Sequence, residues 1–147
     1  MLFAAGGATE RMRISSAGVV TMPYQAYANA SSNGTISATN AIPLNQNNRS
    51  RGGLTISGNR MTVPVAGAYV MGYHHLGNNS GACQMAIKVN GNILGGSMTQ
   101  DTASANDSFG TQIIQELGAN DYIEFWVMSG ASHGNPSYNS MWAFLIG

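Results

Sequence analysis

The sequence predicts an all-β sandwich of two antiparallel sheets, and three observations predict it. Gly, Asn, Ser and Pro interrupt the chain about every eight to twelve residues, the spacing of a sandwich or barrel. Helical periodicity is nearly absent, and the runs between interruptions alternate apolar and polar side chains with the period of a strand.

Taken in order, the candidate strands are YQAYANA (24–30), LTISG (54–58), GNRMTV (58–63), AYVMGYHHL (68–76), QMAIKVN (84–90), NILGGSM (92–98), FGTQIIQEL (109–117), DYIEFWVM (121–128) and SMWAFLI (140–146). Successive strand side chains point to opposite sides, so each run can be read face by face. QMAIKVN puts Met85, Ile87 and Val89 on one face and Gln84, Ala86 and Lys88 on the other. DYIEFWVM puts Ile123, Phe125 and Val127 inward and leaves Tyr122, Glu124 and Trp126 outside. Both belong to a sheet with one solvated face.

SMWAFLI is apolar on both sides, with Met141, Ala143 and Leu145 opposite Trp142, Phe144 and Ile146. AYVMGYHHL repeats the pattern, with Tyr69, Met71 and Tyr73 opposite Ala68, Val70 and Leu76. A sandwich covers one face of each sheet, so the second face of this one needs another molecule, most simply further copies of the chain. Asn90-Gly91 predicts a tight hairpin between QMAIKVN and NILGGSM. Pro64 and Gly67 mark a corner where the chain changes sheets.

Length and composition bound the rest. A chain of 147 residues builds one globular domain with a proper core. Six acidic and six basic side chains cancel, and only 8% of residues are charged, so there is no field to draw in nucleic acid or an acidic membrane surface. An uncharged surface also favours association. No apolar run reaches the length of a membrane-spanning helix, and no membrane insertion is expected. In MLFAAGGATERMR the arginines follow the apolar stretch, the reverse of a secretory signal. Cys83 is the sole cysteine and reads as a small buried side chain.

At MTVPVAGAYVMGYH the sequence resembles the complement globular-head and tumour necrosis factor-like jelly rolls, whose pattern leads an extended "f.vP.aG.Y.f.y" segment into a central inner strand. IKVNGNIL resembles their "v.vNG" hairpin, LGANDYIEFWV their "L..GD.v.v" strand and MWAFLIG their closing "F.G.LL" strand, in the family's order over residues 24–147. Asn120 stands where the family has Gly, and Ala143 where its last strand often has Gly; Asn tolerates the left-handed backbone such a turn requires. The resemblance implies a jelly-roll β-sandwich that forms a homotrimer through its inner sheet, with Tyr69, Met71, Tyr73, Trp142 and Phe144 at the trimer interface.

FAAGGATERMRISSAGVVTMP (3–23) resembles the "ERMRI.ssG.V" linker near the ends of bacteriophage tail-fibre proteins. It implies a short β neck over 1–23, joined to an upstream fibre shaft and followed by a receptor-binding head over 24–147. Its few apolar residues, Met12, Ile14, Val19 and Val20, are too few to fold alone. With a Met directly before this segment, the expectation is a fragment of a longer fibre or a piece expressed on its own. The implied function is host attachment by a virion's tail-fibre tip, with a cell-surface glycan or outer-membrane protein as receptor. A purely structural trimerisation cap is the alternative.

The remaining question is chemistry. His74 and His75 are adjacent in a strand, point to opposite faces and cannot share one metal within a chain. A hydrogen-bonded structural role for His74 or His75 is expected; a three-histidine site around a threefold axis stays open. His133 falls in the loop GASHGNPSYN. No nucleophile elbow, phosphate-binding glycine loop or paired-acid signature is present, and neither catalysis nor a cofactor is expected. Asp101 and Asp107 read as solvated loop rather than calcium ligands. By the family's strand order, residues 31–50, 77–83, 99–108 and 130–139 lie at the distal end. They are rich in Asn, Ser, Thr and Gly with an occasional Tyr, a mixture suited to adaptable recognition. Asn78, Asn79, Asp101, Asn106, His133, Asn135 and Tyr138 are the candidate receptor contacts.

Overall fold

The computed structural model describes residues 2–4, 10–22, 24–78, 81–102 and 107–147. Three strands near the N-terminus, β1 (Leu2–Ala4), β2 (Glu10–Ile14) and β3 (Val20–Thr21), pair antiparallel with one another. The body begins with β4 (Tyr27–Ser31), β5 (Asn40–Ala41), β6 (Gln46–Arg51), β7 (Thr55–Ser57) and β8 (Arg60–Thr62). It continues with β9 (Gly67–Leu76), β10 (Gln84–Val89), β11 (Asn92–Ile93), β12 (Thr99–Gln100), β13 (Ser108–Leu117), β14 (Tyr122–Ser129) and β15 (Ser140–Leu145). A single turn of 3-10 helix, Pro136–Tyr138, interrupts the loop before β15.

These strands make two antiparallel sheets. One runs β13-β9-β15-β4-β6; the other runs β11-β10-β14-β8-β7, with β12 also on β10 and β5 also on β14. One of the switches between sheets falls between β8 and β9, at the corner that Pro64 and Gly67 predict. The Asn90-Gly91 hairpin forms as expected, both residues taking positive φ (50° and 81°) between β10 and β11. Asn120 takes the left-handed backbone at φ 69°.

The core lies between the sheets. Met85, Ile87, Ile123, Phe125 and Val127 point into it as their alternation requires, and all are fully buried. From the other sheet come Tyr69, Met71, Tyr73, Met141 and the small side chains Ala26, Ala28 and Ala30. Tyr73 crosses the sandwich, its hydroxyl within bonding distance of Met85 O (2.9 Å), Ser97 O (3.1 Å) and Thr99 Oγ1 (2.7 Å), while its ring stands edge-on to Phe125 at 6.2 Å. Burial pushes the Tyr73 phenol pKa up.

Here the structure corrects the reading of β9. Tyr69, Met71 and Tyr73 do not face outward with Trp142 and Phe144; they are sealed in the core. The cross-strand register decides it. β9 pairs with β15 as Tyr73↔Met141, Met71↔Ala143 and Tyr69↔Leu145, and directly opposed residues share a face. The outward row of β9 is therefore Val70, Gly72 and His74, opposite Phe144, Trp142 and Ser140.

Candidate outer-face and distal-loop sites

Two regions are candidates. The first is the outward face of the β13-β9-β15-β4-β6 sheet. Register places Ile114, Val70, Phe144, Tyr27 and Arg51 in one row across five strands, and Gln112, Gly72, Trp142, Asn29 and Arg49 in the next. Ile114 is 62% exposed, Phe144 39% and Tyr27 36%. Trp142 lies over Gly72, where a Cβ would sit 2.6 Å from the indole and 2.6 Å from Thr111 O. Glycine is required there because the ring occupies the space a side chain would take. On one side of Trp142 runs a groove of about 560 Å³ lined by Met22, Tyr27, Asn29, Arg51 and Phe144. On its other side a second, of about 460 Å³, is lined by His74, Ser108, Gly110 and Gln112. Ile114, Val70 and Tyr27 were missed in the sequence, although the Ile113-Ile114 pair in a strand requires one of the two to face outward.

The second region is the loop end. Leu145 N–H donates to Ala26 O and Ala68 N–H to Gly147 O, so the chain enters and leaves the sandwich at one end. At the other, backbone hydrogen bonds gather the loops: Gly34 to Gly134, Ala38 to Gly130, Asn78 to Ala131, Gly77 to Asp107 and His133 to Leu76. The predicted loop 31–50 is shorter than expected, because Gln46–Arg51 forms the edge strand β6 on β4.

Of the candidate contacts, Asn79 and Asn106 lie outside the described residues. His133, Asn135 and Tyr138 come together on one loop. Asn135 Oδ1 accepts from Ser137 N–H (2.9 Å) and caps the 3-10 turn. Asn135 N–H donates to His133 Nδ1 (3.2 Å), which leaves the His133 proton on Nε2. The His133 and Tyr138 rings meet edge-on at 5.3 Å, with Tyr138 48% exposed. Asn78 is half-buried and holds the neighbouring loop by its backbone.

Asp101 departs from expectation. It is buried beneath Gly77, with Oδ1 accepting from Cys83 N–H (2.8 Å) and its own N–H donating to Cys83 O (3.0 Å). A carboxylate spent on a backbone amide inside the protein is a strut, not a surface contact. The same packing buries Cys83, whose thiol is pushed up to about 12 by burial and by Asp101.

The histidines also sort themselves. His74 is exposed and its Nε2 lies 2.5 Å from Ser108 Oγ. His75 is fully buried, and neither ring nitrogen has a hydrogen-bond partner among the described residues, so of the two adjacent histidines the bonded one is His74. Asn139 and Ser32, unremarked in the sequence, form the floor of this end. Asn139 Oδ1 accepts from Ser32 N–H (2.6 Å), and its Nδ2 donates to Ser32 O (3.0 Å) and Asn135 O (2.9 Å). Nothing local signals such a clasp, which joins residues 107 positions apart.

No sequence-family model and no curated protein sequence matches the chain. Solved structures do. A crystal structure of murine APRIL at pH 5.0 superposes with a TM-score of 0.68 at 15% identity, covering 83% of this chain and 99% of that one. Murine APRIL at pH 8.0 gives 0.65 at 13% identity with the same coverage. At such low identity the likeness speaks to architecture alone, and on that point it agrees with the sheet order: the chain folds as a jelly roll similar to the tumour necrosis factor-like ones.

Proposed function

We propose that the chain is the receptor-binding tip of a bacteriophage tail fibre, and that three copies associate through the outward face of the β13-β9-β15-β4-β6 sheet. The observation that supports this most is the apolar row of exposed Ile114, Phe144 and Tyr27 with half-buried Val70, beside Trp142. Covering each large apolar side chain contributes roughly 1.5–3 kcal/mol, a strong drive for a protein with no net charge to keep its copies apart. The grooves flanking Trp142 and the projecting Ile114 give one copy both hollow and knob, as a closed ring of identical subunits needs.

The neck motif ERMRI, within β2, supplies the fibre half of the reading. The adhesive half rests on the distal loops, where Tyr138, His133 and Asn135 offer an aromatic ring beside neutral hydrogen-bonding groups to a host glycan or outer-membrane protein. Three tips per fibre, acting together, turn weak single contacts into firm attachment.

Sedimentation of the purified chain tests the assembly: a particle three times the 15.4 kDa chain is expected, and a stable monomer overturns it. Pre-incubating host cells with the soluble tip is expected to block phage adsorption. Trimers that fail to block at saturation would leave a structural cap of the fibre instead.

A further inference from the structure

We infer that the distal end carries an acid-operated latch: protonation of His75 unseats the loop 130–139 and releases whatever Tyr138 and its neighbours hold. The release half rests on the receptor-contact reading above, whereas the unlatching half stands without it.

The inward face of β9 runs Tyr69, Met71, Tyr73, His75, all fully or almost fully buried. The two tyrosines have partners for their hydroxyls, Tyr69 at Val65 O and Tyr73 at Met85 O, Ser97 O and Thr99 Oγ1. His75 occupies the next inward position with an imidazole, edge-on to Phe109 at 6.3 Å, and neither nitrogen is partnered among the described residues. Buried polar atoms are nearly always bonded, so an exception at the rim of a core calls for an explanation. Ser32 Oγ is orphaned in the same way. Ser32 is clasped by Asn139, the buried residue that directly precedes the Ser140↔His74 pair. Beneath the loop that presents Tyr138, then, the sandwich ends in a polar layer of Ser32, Asn139 and His75 and not in aliphatic packing.

Among the described residues, the two histidines that act on His75 oppose a charge on it. His74 on its own strand and His133 on the loop above are like-charged when protonated. The carboxylates of this end are committed, Asp101 to Cys83 N–H and Asp107 to Thr102 Oγ1. Cys83, in the packed core below, stays neutral because its thiol is pushed up to about 12. Burial first, then His74 and His133, hold the His75 pKa down to about 4 from 6.5. A base whose pKa is depressed in the closed state binds its proton better in the open one. The closed latch therefore has full stability above pH 6.5, loses it as pH falls towards 4, and loses no more below. Between pH 7 and 4 the opening equilibrium rises on the order of 100-fold.

Amide hydrogen exchange of the full chain between pH 7 and 4, corrected for intrinsic rates, reads the latch directly. Protection in 130–139 should fall by that factor while β10 and β14 hold, and His75→Phe should flatten the dependence. If that variant fails to fold, proton NMR titration of the wild-type His75 ring decides: a midpoint near 4 supports the latch, and an ordinary midpoint near 6.5 overturns it. Exchange that ignores pH overturns it too. Opening without any loss of tip binding to host cells keeps the latch and discards the receptor-contact reading.

Discussion

Each sheet turns a tryptophan and a tyrosine outward, and the two sheets treat them differently. On the β10-β14-β8 side, Lys88 lies 3.5 Å over the Trp126 ring and Arg60 4.0 Å over Tyr122. Between them Glu124, only 3% exposed, accepts from Arg60 Nε (3.0 Å), Trp126 Nε1 (3.2 Å) and Asn59 Nδ2 (3.4 Å). The Arg60, Glu124 and Lys88 row is in register across three strands. On the other side Trp142 has Gly72 beneath it and a groove on each flank, and Arg51 stands 6.0 Å from the Tyr27 ring, the outer limit of a cation–π contact. One face has been closed off by its own side chains; the other has been left for something else to close. Composition cannot distinguish them, since both use aromatic residues on central strands. What separates them is Glu124, which stands between the rings of one face in register with Lys88 and Arg60, whereas the two rows that hold Tyr27 and Trp142 contain no carboxylate.

The largest way to break this contrast is a charge in the bare face. Phe144→Asp is expected to convert a trimer to monomers on sedimentation, because a buried interface cannot accommodate an unpaired carboxylate. The fold should persist, since Phe144 is solvent-exposed in the single chain. A Phe144→Asp protein that still sediments as a trimer would mean that association uses another surface.

Next comes the seat of Trp142. Gly72→Ala puts a methyl group 2.6 Å from the indole and from Thr111 O. The ring must move and the β9–β13 pair must give, at a cost of about 1–3 kcal/mol in chemical denaturation. A near-ultraviolet spectrum unchanged from wild type would show that Trp142 does not lie on this glycine.

The same contrast explains what the sequence made legible. Strands β10 and β14 were readable face by face because one side of each is apolar and the other mixed, so alternation alone fixes which way they point. β9 was not, because Tyr69, Met71 and Tyr73 alternate with Val70 and Leu76, and either set satisfies a core. Only the pairing with β15 chooses, and pairing is not a local property. β6 escaped for the opposite reason. Gln46–Arg51 has no apolar residue to alternate, and it is a strand because it closes an edge against β4. At the loop end, the gathering of 77–78 and 130–139 followed from topology. The inward turn of Asp101 and the Asn139–Ser32 clasp did not, since each is a bond between residues remote in sequence.

On the closed face, Glu124→Gln is expected to cost about 2 kcal/mol, because the carboxylate that takes three donors becomes an amide that can accept at one oxygen only. Sedimentation should be unchanged, which is the sharper half of the prediction: this face serves the single chain. Loss of the oligomer on Glu124→Gln would reverse the roles of the two sheets.

The smallest effect, and the most direct comparison of the two tryptophans, is at Lys88. Its ammonium sits 3.5 Å from the Trp126 ring centroid and is half-buried there, so the contact is a cation–π pair shielded on one side. Lys88→Met keeps the unbranched apolar stem of the side chain and removes the ammonium, which separates the electrostatic part of the contact from most of its packing. Thermal or chemical denaturation should show a loss of about 0.5–1 kcal/mol, and the loss should shrink in Trp126→Leu, where no aromatic face remains to attract the ammonium. If Lys88→Met costs the same in both backgrounds, the lysine stabilises through the neighbouring Glu124 and not through the ring. The closure of this face would then be the work of the carboxylate alone.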